Sequence, residues 1–142
     1  MLYTNTFLKN FLLQASKHPQ KKVIIETSGR ELRSFELVEK SEIIANNLAE
    51  NGFKKGDRVL LLVRPGIELV VFILGVMRAG GVIVVVDPGM GKDIFESRVK
   101  AAKPKWIFGE SAIFALKNRT IIKRYLRKKG IDIPEVSNFK NI

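Results

Sequence analysis

Cysteine is absent from the 142 residues. Disulfides and thiolate metal sites are therefore excluded, and a reducing, cytoplasmic location is the expectation that follows. Histidine occurs once, as His18. It stands in a polar turn before Pro19 with no acid beside it in sequence, so it reads as a surface residue rather than a catalytic base. Met1 to Phe11 lacks a basic lead, an uninterrupted apolar core and a small-residue cleavage site, and does not read as a secretory signal. Long hydrophobic runs are also wanting. Leu69 to Val86 is apolar apart from Arg78, but a central arginine costs about 2.5–3.5 kcal/mol on membrane insertion, and Gly80-Gly81 breaks the helix a span needs. The segment instead reads as a helix closed by two glycines and a strand, Val82–Val86, in which four of the five residues are valine.

Acid is missing from one stretch in particular. Residues 117–130 contain Lys117, Arg119, Lys123, Arg124, Arg127, Lys128 and Lys129, which carry +7 of a net charge of +11 and leave +4 for everything else. Ile121, Ile122, Tyr125 and Leu126 recur there at helical spacing, so an amphipathic helix with a basic face is expected. Its apolar stripe is read as packing on the same domain. The second reading is a stand-alone binding module that contacts nucleic acid or anionic membrane through 117–130.

What is present is the balance of a globular chain, 46% apolar and 27% charged, at a length that suits one domain. Phe7, Leu8, Phe11, Leu12 and Ala15 recur at three-to-four spacing and predict a helix from Thr6 to Lys17, closed by His18-Pro19. Val23–Glu26 and Glu31–Ser34 flank Thr27-Ser28-Gly29-Arg30 and predict a short hairpin. Ser34 is expected to cap a helix running from Phe35 to about Asn51, with Leu37, Ser41, Ile44, Ala45 and Leu48 on one face and Gly52 as its stop.

From Lys55 to Trp106 one short theme repeats: apolar strand, tight Gly or Pro turn, helix, next strand. Val59–Val63 is uninterrupted apolar sequence, as expected of a strand covered on both faces. Arg64-Pro65-Gly66 opens a helix over Ile67–Arg78, Val82–Val86 follows, and a third unit runs through a helix near Ile94–Ala102 to a strand at Lys105–Phe108. Right-handed crossovers predict a parallel α/β layer, its strands side by side.

Turns that follow parallel strands are where such sheets bind ligands. Asp87-Pro88-Gly89-Met90-Gly91-Lys92 is the turn to weigh, with Gly89, Gly91 and Lys92 as candidate anion-binding residues in a nest ahead of a helix. It is not a P-loop, because the glycine span is short and Asp93 stands where Ser or Thr is needed; nor is it a dinucleotide fingerprint, because the third glycine is missing. The bland alternative is a tight exit turn. Arg64 and Arg98 are expected to pair with phosphates or with carboxylates such as Glu68 and Glu96. No catalytic or metal-binding residue is assigned.

Two ordered blocks resemble the adenylate-forming AMP-binding enzymes, which include the acyl-CoA synthetases. Ser34-Phe35-Glu36-Leu37, leading through its helix to Gly52 and then Lys55-Gly56-Asp57-Arg58-Val59, is similar to that family's early leucine-rich signature. Gly75-Val76-Met77-Arg78-Ala79-Gly80-Gly81, running into Val82–Val86 and Asp87-Pro88, is similar to its block of K-A-G-A, strand and D-P. The resemblance spans most of the chain and makes residues 1–142 a single partial domain, the N-terminal portion of a larger one. Arg64-Pro65-Gly66 and Asp87-Pro88-Gly89-Met90-Gly91 look most like the branch acting on fatty or β-hydroxy fatty acids.

The resemblance implies a two-step ligase that uses ATP and Mg2+ and in many members coenzyme A; in the β-hydroxy acid branch the substrate's own hydroxyl closes a β-lactone. It implies a small carboxylate substrate and the remainder of the same polypeptide as partners. Peripheral membrane contact is compatible with it, and nucleic acid is not an expected partner. The family's phosphate loop, adenine pocket, ribose-binding aspartate and catalytic lysine have no counterpart among these residues. This chain alone is therefore expected neither to adenylate a carboxylate nor to bind ATP tightly, and its uncovered strand edges are expected to favour self-association.

Overall fold

The structure, a computed structural model, describes residues 6–63 and 65–109. Their contacts gather into two compact units, one drawn from Met1–Gly52 and Pro65–Ala79, the other from Phe53–Arg64 and Gly80–Ile142.

The first unit holds three helices and a hairpin. Helix α1 spans Thr6–Lys17, strands β1 (Lys22–Ile25) and β2 (Glu31–Arg33) pair antiparallel, and α2 (Ser34–Glu50) follows β2 directly. Helix α3 is Ile67–Arg78, the bounds its apolar spacing predicts. On α2 the buried residues are Ser34, Leu37, Ser41, Ile44 and Leu48, at steps of three, four, three and four that keep one stripe facing inward. Against that stripe lies α3 at its one helical glycine. A Cβ placed on Gly75 would come within 2.5 Å of Ile44 Cβ and 3.2 Å of the Ser41 carbonyl oxygen, so the absence of a side chain is what lets the two helices close.

Ser34 does not cap α2 as expected; it is the first residue of the helix. Its amide and its hydroxyl both donate to the Lys21 carbonyl, at 2.9 and 3.2 Å, which ties the start of the helix to the hairpin. The capping position falls to Arg33, whose amide donates to the Glu36 carboxylate at 2.8 Å. Three residues on from the cap, a glutamate reaching back is the second half of a capping box.

The second unit is a parallel sheet in the order β4-β3-β5, with β3 at Arg58–Leu62, β4 at Val82–Val85 and β5 at Trp106–Gly109. Helix α4, Lys92–Ala102, begins two residues earlier than its apolar pattern predicts. The strand first in sequence is thus central. Val59, Leu60, Leu61 and Leu62 are all buried, as an uninterrupted apolar strand requires. Leu60, Leu62, Val86, Val99 and Ile107 form one core, with Val84, Met90 and Phe95 packed against it. Each such side chain contributes about 1.5–3 kcal/mol on burial before the entropy of ordering is subtracted. β4 is different: Val85 is 73% exposed and Val82 46%.

The strand starts are held by backbone bonds. The Gly56 amide donates to Gly80 O at 2.8 Å, the Val82 amide to Asp57 O at 2.8 Å and the Lys105 amide to Arg58 O at 2.9 Å. Lys103 closes α4 in the left-handed region at φ 49°, its amide donating to Val99 O at 2.9 Å, and the buried Pro104 prevents further helix. No helix among the described residues is long and apolar enough to cross a membrane.

Candidate functional site

The turn singled out by the sequence, Asp87 to Lys92, follows β4 and leads into α4. Pro88–Met90 makes one 3-10 turn, and the Asp87 carboxylate receives the Gly89 amide at 2.8 Å. Gly91 holds φ 90° and ψ 152°, a backbone region that only glycine enters without strain, and its carbonyl accepts from the Phe95 amide at 3.0 Å. Lys92 is the first residue of α4. Of the three candidates, then, Gly89 has its amide occupied by a carboxylate of the same turn, Gly91 supplies the bend, and Lys92 opens the helix. The local chain provides its own anion here, and Asp93 adds a second negative charge one residue beyond Lys92.

A cluster that sequence reasoning missed lies in the first unit, at the N-terminus of α3. Arg30 is held in a fork. Its Nε and Nη2 donate to Glu26 at 2.7 and 2.8 Å, and its Nη1 and Nη2 donate to Glu68 at 2.7 and 2.8 Å. Glu26 also accepts from Ser28 Oγ at 3.1 Å and from the Ile67 amide at 2.8 Å, which satisfies one of the unpaired donors that open α3. The Arg30 guanidinium and then the Ile67 amide hold the Glu26 carboxyl down to about 2, from an ordinary value of 4.5. The same guanidinium lowers Glu68, and the two carboxylates raise Arg30. Glu68 therefore pairs with Arg30, a cation the sequence reading did not assign to it. Arg64 lies outside the described residues, and Arg98 is exposed on α4. The only local signal was the Glu26/Arg30 spacing of four across a turn; Glu68 is too distant in sequence to be paired by inspection.

A third cluster, in the sheet-bearing unit, centres on Asp57. Its Oδ2 accepts from the Lys54 amide at 2.9 Å and from Trp106 Nε1 at 2.8 Å, and Lys105 Nζ stands 3.2 Å from both of its oxygens. Burial pushes this carboxyl up, but the Lys54 amide, the indole and the ammonium together outweigh it and leave the group lowered. The Trp106 ring also lies against Phe53, with centroids 5.3 Å apart at 52°. Asp57 thus ties the start of β3 to the start of β5, a structural office.

Among the described residues no three His, Cys, Asp or Glu side chains converge as metal ligands. His18 is exposed after α1, and its amide donates to Gln14 O at 3.0 Å. The basic segment 117–130 lies outside the described residues.

A parallel α/β layer built from strand, turn and helix, with the Asp87-Pro88 turn after its second strand, defines the class: the N-terminal part of an adenylate-forming enzyme. The chain belongs to the AMP-binding enzyme family, whose sequence profile matches residues 11–138. Among curated relatives, the L-2-aminoadipate reductase large subunit of Penicillium chrysogenum is 28% identical over 100 residues, covering 67% of this chain and 7% of its own length. A medium/long-chain-fatty-acid and 3-oxocholest-4-en-26-oate CoA ligase of Mycolicibacterium smegmatis is 30% identical over 121 residues, covering 85% of this chain and 20% of its own length. Among solved structures, apo MatB from Rhodopseudomonas palustris superposes with a TM-score of 0.73 at 25% identity, over 89% of this chain and 24% of MatB. The chain thus spans a quarter or less of each of these proteins.

Proposed function

We propose that this chain is the opening part of an ATP-dependent carboxylate-activating ligase whose substrate is a fatty acid and whose acyl acceptor is coenzyme A. The observation that carries the reading is the extent of alignment. The fatty-acid CoA ligases align along 85% of this chain, against 52–67% for the aminoadipate reductases, at similar identities of 27–30% and 28–33%.

In the first step a carboxylate oxygen attacks the α-phosphorus of ATP, the bond to the β-phosphate oxygen breaks, and pyrophosphate leaves. In the second the thiolate of the acceptor attacks the acyl carbonyl carbon and AMP leaves. Mg2+ bound with the nucleotide would offset the phosphate charge. The described residues contribute scaffold to this chemistry. They fix the sheet, the Asp87 turn and the α3 terminus, and no described side chain is assigned to a reacting atom.

The test is carboxylate-dependent ATP–pyrophosphate exchange by the native product containing this segment, captured from its source with an antibody against the segment. Exchange stimulated by medium- and long-chain fatty acids is expected. Exchange with aminoadipate and none with any fatty acid would overturn the substrate assignment. The 142-residue chain by itself is expected to catalyse no exchange, and activity from it would show that the nucleotide site is complete within these residues.

A further inference from the structure

Among the described residues of the sheet-bearing unit, cations gather at one end. Lys54, Lys55, Arg58, Lys100, Lys103 and Lys105 stand where the strands enter and α4 finishes, whereas Asp87, Lys92 and Asp93 stand where β4 leaves the sheet and α4 begins. All six of these cations are exposed. Hydrogen bonds bring their segments together: the Lys54 amide and Lys105 Nζ both reach Asp57, Arg58 Nη1 donates to the Ala102 carbonyl at 2.6 Å, and the Lys105 amide donates to Arg58 O at 2.9 Å. Lys103 follows Ala102, and Lys100 occupies the last turn of the same helix. Among the described residues Asp57 is the acid that these bonds engage, and it is already committed to three donors, the Lys54 amide, the Trp106 indole and the Lys105 ammonium.

Local structure accounts for part of the cluster. Lys100 and Lys103 complement the negative end of the α4 dipole, and Lys105 answers Asp57. Among the described residues Lys54 and Lys55 have no acid partner, and like charge gathered on one small face attracts a surface of opposite charge.

The composition of the face selects the partner. Five of the six cations are lysines, which act as point charges, and the one guanidinium has its Nη1 held by the Ala102 carbonyl, so the face offers mainly point charge rather than the planar two-point recognition that arginine gives to phosphates or bases. No aromatic side chain is offered for stacking on bases, because Phe53 and Trp106 are both buried. At the rim, Val82, opposite Arg58 in the ladder, presents exposed apolar surface. Diffuse positive charge with an apolar foot complements a surface of diffuse negative charge and apolar depth. We propose that this strand-entry face docks on an anionic lipid membrane. The consequence is an orientation: the opposite end of the sheet, with the Asp87 turn, is held away from the lipid and open to water-soluble reactants.

The experiment is co-sedimentation of the full 142-residue chain with vesicles that are one-quarter phosphatidylglycerol in phosphatidylcholine, against vesicles of phosphatidylcholine alone. Three variants accompany it: Lys54→Gln/Lys55→Gln/Lys100→Gln/Lys103→Gln, the same four positions changed to Arg, and Lys123→Gln/Arg124→Gln/Arg127→Gln/Lys128→Gln/Lys129→Gln. Wild-type chain is expected to bind acidic vesicles only. The four-glutamine variant is expected to bind them at least about tenfold more weakly, given roughly fivefold per lysine at an anionic surface. The arginine variant is expected to bind like wild type, and the variant of residues 123–129 is expected to keep the dependence on the four lysines. Unchanged binding by the four-glutamine variant would overturn the proposal, as would loss of binding by the arginine variant. Binding to double-stranded DNA that falls in the four-glutamine variant, with vesicle binding unmoved, would also overturn it, in favour of a phosphate backbone.

Discussion

Three residues carry tests of their own. Gly75 sits where α3 meets Ile44 and the Ser41 carbonyl, so Gly75→Ala forces a methyl group into a β-branched side chain and near fixed backbone. Overpacking of this kind costs about 1–3 kcal/mol, and thermal denaturation followed by circular dichroism is expected to show a midpoint lower by several degrees. Asp57→Ala strips the Trp106 indole and the Lys54 amide of their acceptor. A cost of about 1–3 kcal/mol is expected, with a red shift in Trp106 fluorescence as the ring gains water. Glu26 sets a pH dependence. Its carboxyl titrates near 2 when folded and near 4.5 in its ordinary state, so its contribution is complete above 4.5 and is lost as the pH falls toward 2. Denaturation midpoints measured across that window should fall with acid, and Glu26→Gln should flatten that part of the profile. The Arg30 fork also shows what inspection of a sequence cannot reach. Nothing near Glu68 announces that its cation arrives from a hairpin turn 38 residues earlier.

At the scale of elements, periodicity was the reliable guide. α1 and α3 have the bounds that their apolar spacing predicts, because a stripe recurring every three to four residues has one helical solution. The strands shift by a residue from their predicted ends, since ladder partners rather than composition decide where a strand stops. Ser34 illustrates the same limit: a serine beside a helix start is a natural cap, but here the helix begins one residue earlier, so Ser34 falls in its first turn and Arg33 holds the capping position. The candidate turn was legible as a turn, and its glycines as conformational, but the Asp87 carboxylate on the Gly89 amide was not, because Asx geometry depends on the chain's path after the strand. The order β4-β3-β5 was likewise hidden, since consecutive strands are the ordinary neighbours and here β5 passes β4 to reach β3. That order leaves β4 at an edge among the described residues, built of four β-branched residues with no charge to discourage pairing. A second copy of the chain is the expected occupant. Sedimentation velocity should show association that rises with concentration, and Val85→Lys, at a site 73% exposed, should suppress it without lowering the denaturation midpoint.

For the molecule as a whole, the position of β3 has a consequence in time. The central strand is made before either of its neighbours: β3 ends at Leu62, β4 starts at Val82 and β5 at Trp106. At roughly 5–20 residues per second, a ribosome delivers β5 several seconds after β3 has emerged. Throughout that interval the central strand, with Val59, Leu60, Leu61 and Leu62 destined for burial, has at least one side without a ladder partner. The nascent chain is therefore a predicted client for a holding chaperone, and a synonymous-codon change that slows translation between residues 63 and 105 should lower soluble yield while leaving the finished protein's stability unchanged.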